Sequence, residues 1–141
     1  MTKLILHIGQ PKTGTSALQS VLSANRAQLL SVGVLYPTQA RPRSPKHALA
    51  GPYLMGRASY SVQRRTGKKG AALDALSTDY WTALRAEIRS TPHETLILSS
   101  ECFFNRPMHS QPGLRERLSE VCDSVEVVAY LRSPAARFLS K

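Results

Sequence analysis

The chain has 141 residues, a hydrophobic fraction of 42% and two cysteines, which suits one domain with a core and excludes a disulfide framework or a metal-binding cysteine quartet. Its formal net charge of +10 favours an anionic partner, and residues 1–73 contain eleven Lys or Arg but no Asp or Glu. Because a secretory leader and a run of ~18 apolar residues are both missing, we expect a reducing, cytoplasmic setting and no membrane span.

The first predicted elements are a buried strand over residues 3–8, a glycine-framed loop, and a helix from Thr15 to about Leu30. The loop and helix start read Gly9-Gln10-Pro11-Lys12-Thr13-Gly14-Thr15-Ser16. Backbone N–H groups, an ammonium and hydroxyls converge in such a loop, which favours a bound phosphate. The alternative is an ordinary strand–turn–helix connection capped by a threonine.

The two glycines have the spacing of the nucleotide-binding P-loop, but the lysine of that motif is displaced. Thr15 stands where an NTPase has its lysine, and Lys12 lies inside the loop instead. A lysine at this earlier position suits one phosphate and the oxygen that bridges it to a leaving group. The spacing therefore indicates a phosphate loop that differs from the NTPase type.

The rest of the chain alternates strands with helices. The predicted elements are a short strand Val34–Tyr36, a basic loop-rich insertion at about 37–70 with a helical turn around 46–55, a helix Asp74–Arg89, a buried strand 95–100, a helix Leu114–Val121, a buried strand Val125–Leu131 and a helix from Pro134 to the chain end. This order predicts one α/β domain over 1–141, with a parallel sheet covered by helices on both faces.

Polar side chains follow three of the predicted strands. They are the loop after residues 3–8, Glu101 after residues 95–100, and Arg132 after the strand that ends at Leu131. Since ligands of parallel sheets bind at the carboxyl ends of the strands, we expect these features to share one site.

Three segments carry a family resemblance: Pro11-Lys12-Thr13-Gly14-Thr15-Ser16, Ser99-Ser100-Glu101, and Tyr130-Leu131-Arg132-Ser133-Pro134 followed by Arg137 and Ser140. With them the chain resembles the sulfotransferases that use 3′-phosphoadenosine 5′-phosphosulfate, whose fold is P-loop NTPase-like. It is closer to the carbohydrate-type and bacterial members than to the cytosolic branch, because Ala17 stands where that branch has tryptophan. Family domains are typically about twice as long, so the resemblance implies an amino-terminal portion of the fold.

The resemblance also implies roles for individual residues. Lys12 would bind the 5′-phosphate and the oxygen that bridges it to sulfur, while Arg132 and Ser140 would hold the 3′-phosphate. The remaining cradle would come from Thr13, Gly14, Thr15 and Ser16. The nucleotide is a co-substrate in this family, no metal is expected, and the acceptor would be a hydroxyl or amine, with carbohydrate among the candidates.

Transfer to a hydroxyl needs a general base. Glu101 is the first candidate, because it follows a buried strand beside the predicted loop. His47 in the basic insertion is the second candidate, with a solvated loop histidine as the alternative. His7, inside the first strand, is expected to be a packed, hydrogen-bonded histidine.

Two other functions stay open at this stage. A P-loop-like small-molecule kinase would require ATP and Mg²⁺, and a non-catalytic module would bind a polyanion through the basic residues with strong salt dependence. Nucleic acid is not expected, because no aromatic residues interleave with the basic ones as in a stacking platform. Self-association is compatible with the sequence.

Overall fold

A computed structural model of the chain describes residues 1–38, 67–104 and 113–133. The elements in chain order are β1 (Lys3–His7), α1 (Thr15–Ala24), α2 (Arg26–Ser31), β2 (Val34–Leu35), α3 (Ala71–Ser90), β3 (Thr95–Ser99), a 3₁₀ turn (Glu101–Phe103), α4 (Leu114–Ser119) and β4 (Ser124–Val128). Most of the predicted insertion, including its helical turn, and the predicted carboxyl-terminal helix lie outside these residues.

The four strands form one parallel sheet in the order β2-β3-β1-β4. The α/β class predicted from the alternating pattern is therefore confirmed. The connection from β1 runs past β3 to β2, whereas the connections from β2 to β3 and from β3 to β4 run in the opposite direction. Because parallel crossovers are right-handed, this reversal requires α1 and α2 on one face and α3 and α4 on the other.

Packing in the interior agrees with that arrangement. On one face Leu4 and Leu98 of the sheet share a buried cluster with Trp81 and Leu84 of α3 and with Leu118 of α4. Each fully buried leucine contributes roughly 1.5–3 kcal/mol to folding, so this cluster contributes substantially to stability.

A smaller cluster occupies the opposite face of the sheet. Ile97 of β3 and Tyr36 pack there with Leu22 of α1 and Leu29 of α2. Ile97 points away from its neighbour Leu98 because successive side chains of a strand alternate between the two faces. Helices thus pack on both sides of β1 and β3.

The single helix predicted from Thr15 to about Leu30 is two helices in the structure. They meet at Asn25, whose backbone adopts φ −107° and ψ 19°. The Val21 carbonyl accepts both the Asn25 side-chain amide at 2.8 Å and the Asn25 backbone N–H at 3.1 Å, and α1 ends there. Apolar spacing alone did not reveal the break, because Leu29 in α2 still faces the sheet.

The last strand is shorter and more exposed than predicted. It ends at Val128 rather than Leu131, and Val125 and Val127 are 48% and 58% exposed. Its apolar residues predicted a buried strand, but β4 pairs with β1 alone and has no second neighbour among the described strands. Within the described part of the chain, no helix has the length and apolar character needed to cross a membrane.

Candidate functional site

The carboxyl ends of β1, β3 and β4 lie level with one another. His7 at the end of β1 is in register with Ser99 of β3 and Val128 of β4. Backbone bonds continue just beyond the strands, from Ser100 N–H to the His7 carbonyl at 3.0 Å and from Ile8 N–H to the Val128 carbonyl at 2.9 Å. The crevice between β1 and β3 is a topological switch point, because their connections leave towards opposite faces, and such crevices are where open α/β sheets bind ligands.

Gly9 begins the loop after β1 in a conformation that requires glycine. Its φ is +66°, and a Cβ at this position would lie 3.1 Å from Thr15 Oγ1 and 3.2 Å from Glu101 Cβ. The loop therefore passes directly over the start of the 3₁₀ turn, and the helix start folds back onto Gly9. Gly9 and Glu101 are 92 positions apart in the sequence, and the pairing of β1 with β3 brings them together.

The middle of the loop is held in a strained turn. Lys12 has φ +68°, and it is the one non-glycine residue with a positive φ in the described part of the chain. This conformation costs about 1–2 kcal/mol for a residue with a side chain. It is supported by the Thr13 hydroxyl, which donates a hydrogen bond of 2.6 Å to the Gln10 carbonyl. The Lys12 side chain is exposed to solvent.

Helix α1 begins with polar groups for which the described residues provide no side-chain cap. Its N-cap is Gly14, with φ 84°, and no side chain caps the helix. The first helical bond runs from Leu18 N–H to the Gly14 carbonyl, so the N–H groups of residues 15–17 precede the repeating hydrogen bonds. Thr15 is 4% exposed, and its hydroxyl oxygen is buried without a partner among the described residues, whereas Ser16 is exposed.

Arg132 reaches this loop from the opposite end of the chain. Its backbone N–H donates to Gln10 Oε1 at 2.8 Å, and its guanidinium Nη1 donates to the Lys12 carbonyl at 2.9 Å. The two predicted phosphate sites therefore border one another, as the position of β4 beside β1 requires. An arginine has five N–H donors, of which the side-chain contact to Lys12 uses one.

A buried polar network lies under the loop. His7 is 3% exposed, and its Nδ1 lies 2.8 Å from the Ser99 hydroxyl, which also accepts a bond of 3.1 Å from the Gln19 side-chain amide. We assign the Ser99 hydroxyl as the donor to His7 Nδ1, so the neutral imidazole carries its proton on Nε2. Burial lowers the pKa of His7 below its usual range, so the ring is neutral at neutral pH.

The predicted packing of His7 is thus confirmed, and its ring also contacts that of Tyr130 at 5.1 Å between centroids. Nε2 is buried and has no hydrogen-bond partner among the described residues. The network links β1, β3 and α1 directly below the loop. No sequence signal indicated Ser99 or Gln19 as its members, because a serine at a strand end and a glutamine in a helix are common.

The predicted site residues fall into two groups. The structure brings together Lys12, Glu101 and Arg132 with the loop residues Thr13, Gly14, Thr15 and Ser16, and their roles stay predictions. His47 and Ser140 lie outside the described residues. Gln10, which contacts Arg132, was missed at the sequence level, since nothing in its local pattern distinguishes it from a solvated loop residue.

Comparison with known proteins adds no further assignment. No family model matches the chain, and neither a curated protein nor a solved structure matches it significantly.

Proposed function

We propose that the chain binds 3′-phosphoadenosine 5′-phosphosulfate and transfers its sulfuryl group to a hydroxyl or amine of an acceptor, with carbohydrate as one candidate class. The observation that carries the proposal is the contact between the Arg132 guanidinium and the Lys12 carbonyl at 2.9 Å. It places the Arg132 guanidinium against the backbone of Lys12, so two basic residues from distant parts of the chain meet at one loop. A nucleotide with phosphates at both ends of its ribose matches two such cations.

The groups around the loop fit a bound phosphate. The uncapped N-terminus of α1 carries the positive end of the helix dipole, and no acidic residue lies in its first turn. The buried Thr15 hydroxyl has no described protein partner, which normally costs about 1–3 kcal/mol unless a ligand satisfies the group. In the proposal, this hydroxyl and the amides of Thr13 and Gly14 bind the 5′-phosphate.

The protein's part in the reaction would be positioning and electrostatic stabilisation. When bound, the nucleotide supplies a sulfuryl group whose transfer leaves negative charge on a phosphate oxygen. Lys12 would offset that charge, and Arg132 would fix the ribose end of the nucleotide. The proposal includes no metal, because a sulfuryl group carries less negative charge than a phosphoryl group.

Glu101 is the proposed general base. It begins the 3₁₀ turn directly after β3, and its Cβ would lie 3.2 Å from a Cβ at position 9. Its side chain is partly exposed, so an acceptor hydroxyl can approach it from solvent. His47 remains the second candidate for this role.

The test is calorimetric titration and thermal unfolding with adenosine 3′,5′-bisphosphate, with ATP and Mg²⁺, and with heparin. A ligand that binds only the native state raises the unfolding midpoint. We expect the bisphosphate to bind and ATP with Mg²⁺ to give little effect. Replacement of either Lys12 or Arg132 by alanine should weaken bisphosphate binding by at least about tenfold, since each removes a charge-assisted hydrogen bond.

Matched controls are Lys69→Ala, at an exposed lysine just before α3, and Arg89→Ala, in the last turn of α3. Both lower the net charge by one without touching the loop, so they should leave the affinity nearly unchanged. Equal losses in site and control variants, with a steep salt dependence, would instead identify a general polyanion-binding surface. Stronger binding of ATP with Mg²⁺ than of the bisphosphate would favour a kinase.

A further inference from the structure

Gln10 is buried in a place where a loop residue would normally be solvated. It is 9% exposed, and its carbonyl accepts the hydrogen bond of 2.6 Å from the Thr13 hydroxyl. Its side-chain oxygen accepts the backbone N–H of Arg132 at 2.8 Å, across 122 positions of sequence. The Gln10 side chain therefore fixes the point at which the chain leaves β4 relative to the phosphate loop.

Arg132 makes the reciprocal contact. Its guanidinium donates to the carbonyl of Lys12, the residue with the left-handed backbone. The Gln10 side chain thus holds the Arg132 backbone, and the Arg132 side chain holds the Lys12 backbone. A displacement of either segment breaks both hydrogen bonds, so the loop and the arginine move as one unit.

We propose that Gln10 is a positioning residue that makes recognition of the 3′-phosphate and of the 5′-phosphate cooperative. The inference rests on the proposed function. A 5′-phosphate that orders the loop also fixes Lys12 and Gln10, and through them it places the Arg132 guanidinium for the 3′-phosphate. The 3′-phosphate then binds a guanidinium that is already ordered, so less conformational entropy is lost on its binding.

The experiment measures the affinities of four ligands: adenosine, adenosine 5′-phosphate, adenosine 3′-phosphate and adenosine 3′,5′-bisphosphate. Each monophosphate gives the change in binding free energy that one phosphate adds to adenosine. The sum of these two changes predicts an affinity for the bisphosphate, and the cooperativity factor is the measured affinity divided by this predicted affinity. For the wild-type chain we expect a factor of about five or more, the usual lower range for coupled sites. If the role of Gln10 were merely structural, its replacement would lower all four affinities without changing this factor.

Gln10→Met keeps the length of the side chain and removes the oxygen that accepts from Arg132. We expect it to reduce the factor to about one while the affinity for adenosine 5′-phosphate falls by less than about threefold. Gln10→Glu keeps an acceptor oxygen, so it should restore most of the factor. Its added negative charge weakens the binding of each phosphate separately, and this effect largely cancels from the factor. Gln28→Met makes the same chemical change at an exposed position of α2 and should leave the factor unchanged.

The outcomes separate the two proposals. If the bisphosphate fails to bind the wild-type chain, the proposed function is wrong and this inference falls with it. If the bisphosphate binds and Gln10→Met keeps the wild-type factor, the inference alone is wrong. Should Gln10→Met not fold, amide exchange in the wild-type chain decides the matter, because adenosine 5′-phosphate should slow exchange of the Arg132 N–H, and an unchanged rate would contradict the proposal.

Discussion

Thr15 combines two properties that rarely occur together. It is buried at the first position of α1, and its hydroxyl oxygen has no partner in the described part of the chain. An unsatisfied buried hydroxyl lowers the free energy of unfolding, because its hydrogen bonds to water are lost without replacement. A residue with this property at a candidate phosphate loop is better explained by ligand binding than by folding.

Thr15→Val should therefore separate stability from binding. Valine keeps the shape of threonine and removes the hydroxyl, so we expect the free energy of urea unfolding to stay equal or rise by about 1 kcal/mol. Bisphosphate affinity should fall by roughly tenfold or more, the value of one hydrogen bond to a charged group. Thr15→Ser, which keeps the hydroxyl, should bind nearly as the wild type does, and a large loss of stability in Thr15→Val would show that the hydroxyl is structural.

His7 makes the stability of the fold depend on pH. Burial lowers the pKa of the folded ring below its usual 6.5, and the ring contacts the Ser99 hydroxyl and the Tyr130 ring. Between the folded and unfolded pKa values the unfolded chain binds more protons, so stability increases with pH. Its contribution is complete above about pH 6.5 and is lost as the pH falls towards the folded pKa.

The measurement is urea unfolding of wild type and His7→Gln from pH 8 to pH 5. We expect the wild type to lose up to about 1.4 kcal/mol per pH unit more than the variant within this window. The comparison removes the contribution of other histidines and carboxylates, which titrate in both proteins. Parallel pH curves for the two proteins would mean that the ring is not desolvated in the folded chain.

At the scale of secondary structure, the sequence contained enough information for the strands and their direction. Apolar runs of strand length separated by helical patterns predicted β1, β3 and the long helix α3 to within a few residues, because these elements bury a continuous apolar face whatever their neighbours are. The start of α1 at Thr15 was predicted directly after the glycine-framed loop, and Gly14 at the end of that loop has a φ of 84°, a conformation that favours glycine.

Features that depend on tertiary partners could not be predicted in the same way. The exposure of Val125 and Val127 is set by what packs on β4, and an apolar strand pattern contains no information on that. The break at Asn25 coincides with a bond from its side chain to the Val21 carbonyl, and apolar spacing does not detect such a bond.

The same distinction between local pattern and tertiary contact applies to the candidate site. Residue types and strand-end positions predicted that Lys12, Glu101 and Arg132 share one edge of the sheet. The Gln10 contact with Arg132 spans 122 positions, and only the pairing of β4 with β1 brings these residues together.

For the whole molecule, the order of the strands makes β4 the segment that a ligand can stabilise most. Among the described strands β4 pairs with β1 alone, its side chains are largely exposed, and its continuation carries Arg132 to the loop. Strands with few buried apolar contacts open at a lower free energy than the core. A ligand held by both the loop and Arg132 should oppose the separation of β4 from β1.

Amide hydrogen exchange with and without saturating adenosine 3′,5′-bisphosphate tests this expectation. The bisphosphate should slow exchange at residues 8–18 and 124–132, whereas β2 and the first half of α3 should change little, since neither contacts the site. Adenosine 5′-phosphate should slow the loop more strongly than β4, because it lacks the group that Arg132 binds. Slowing that omits β4 would mean that Arg132 does not hold the ligand and that the nucleotide is bound by the loop alone.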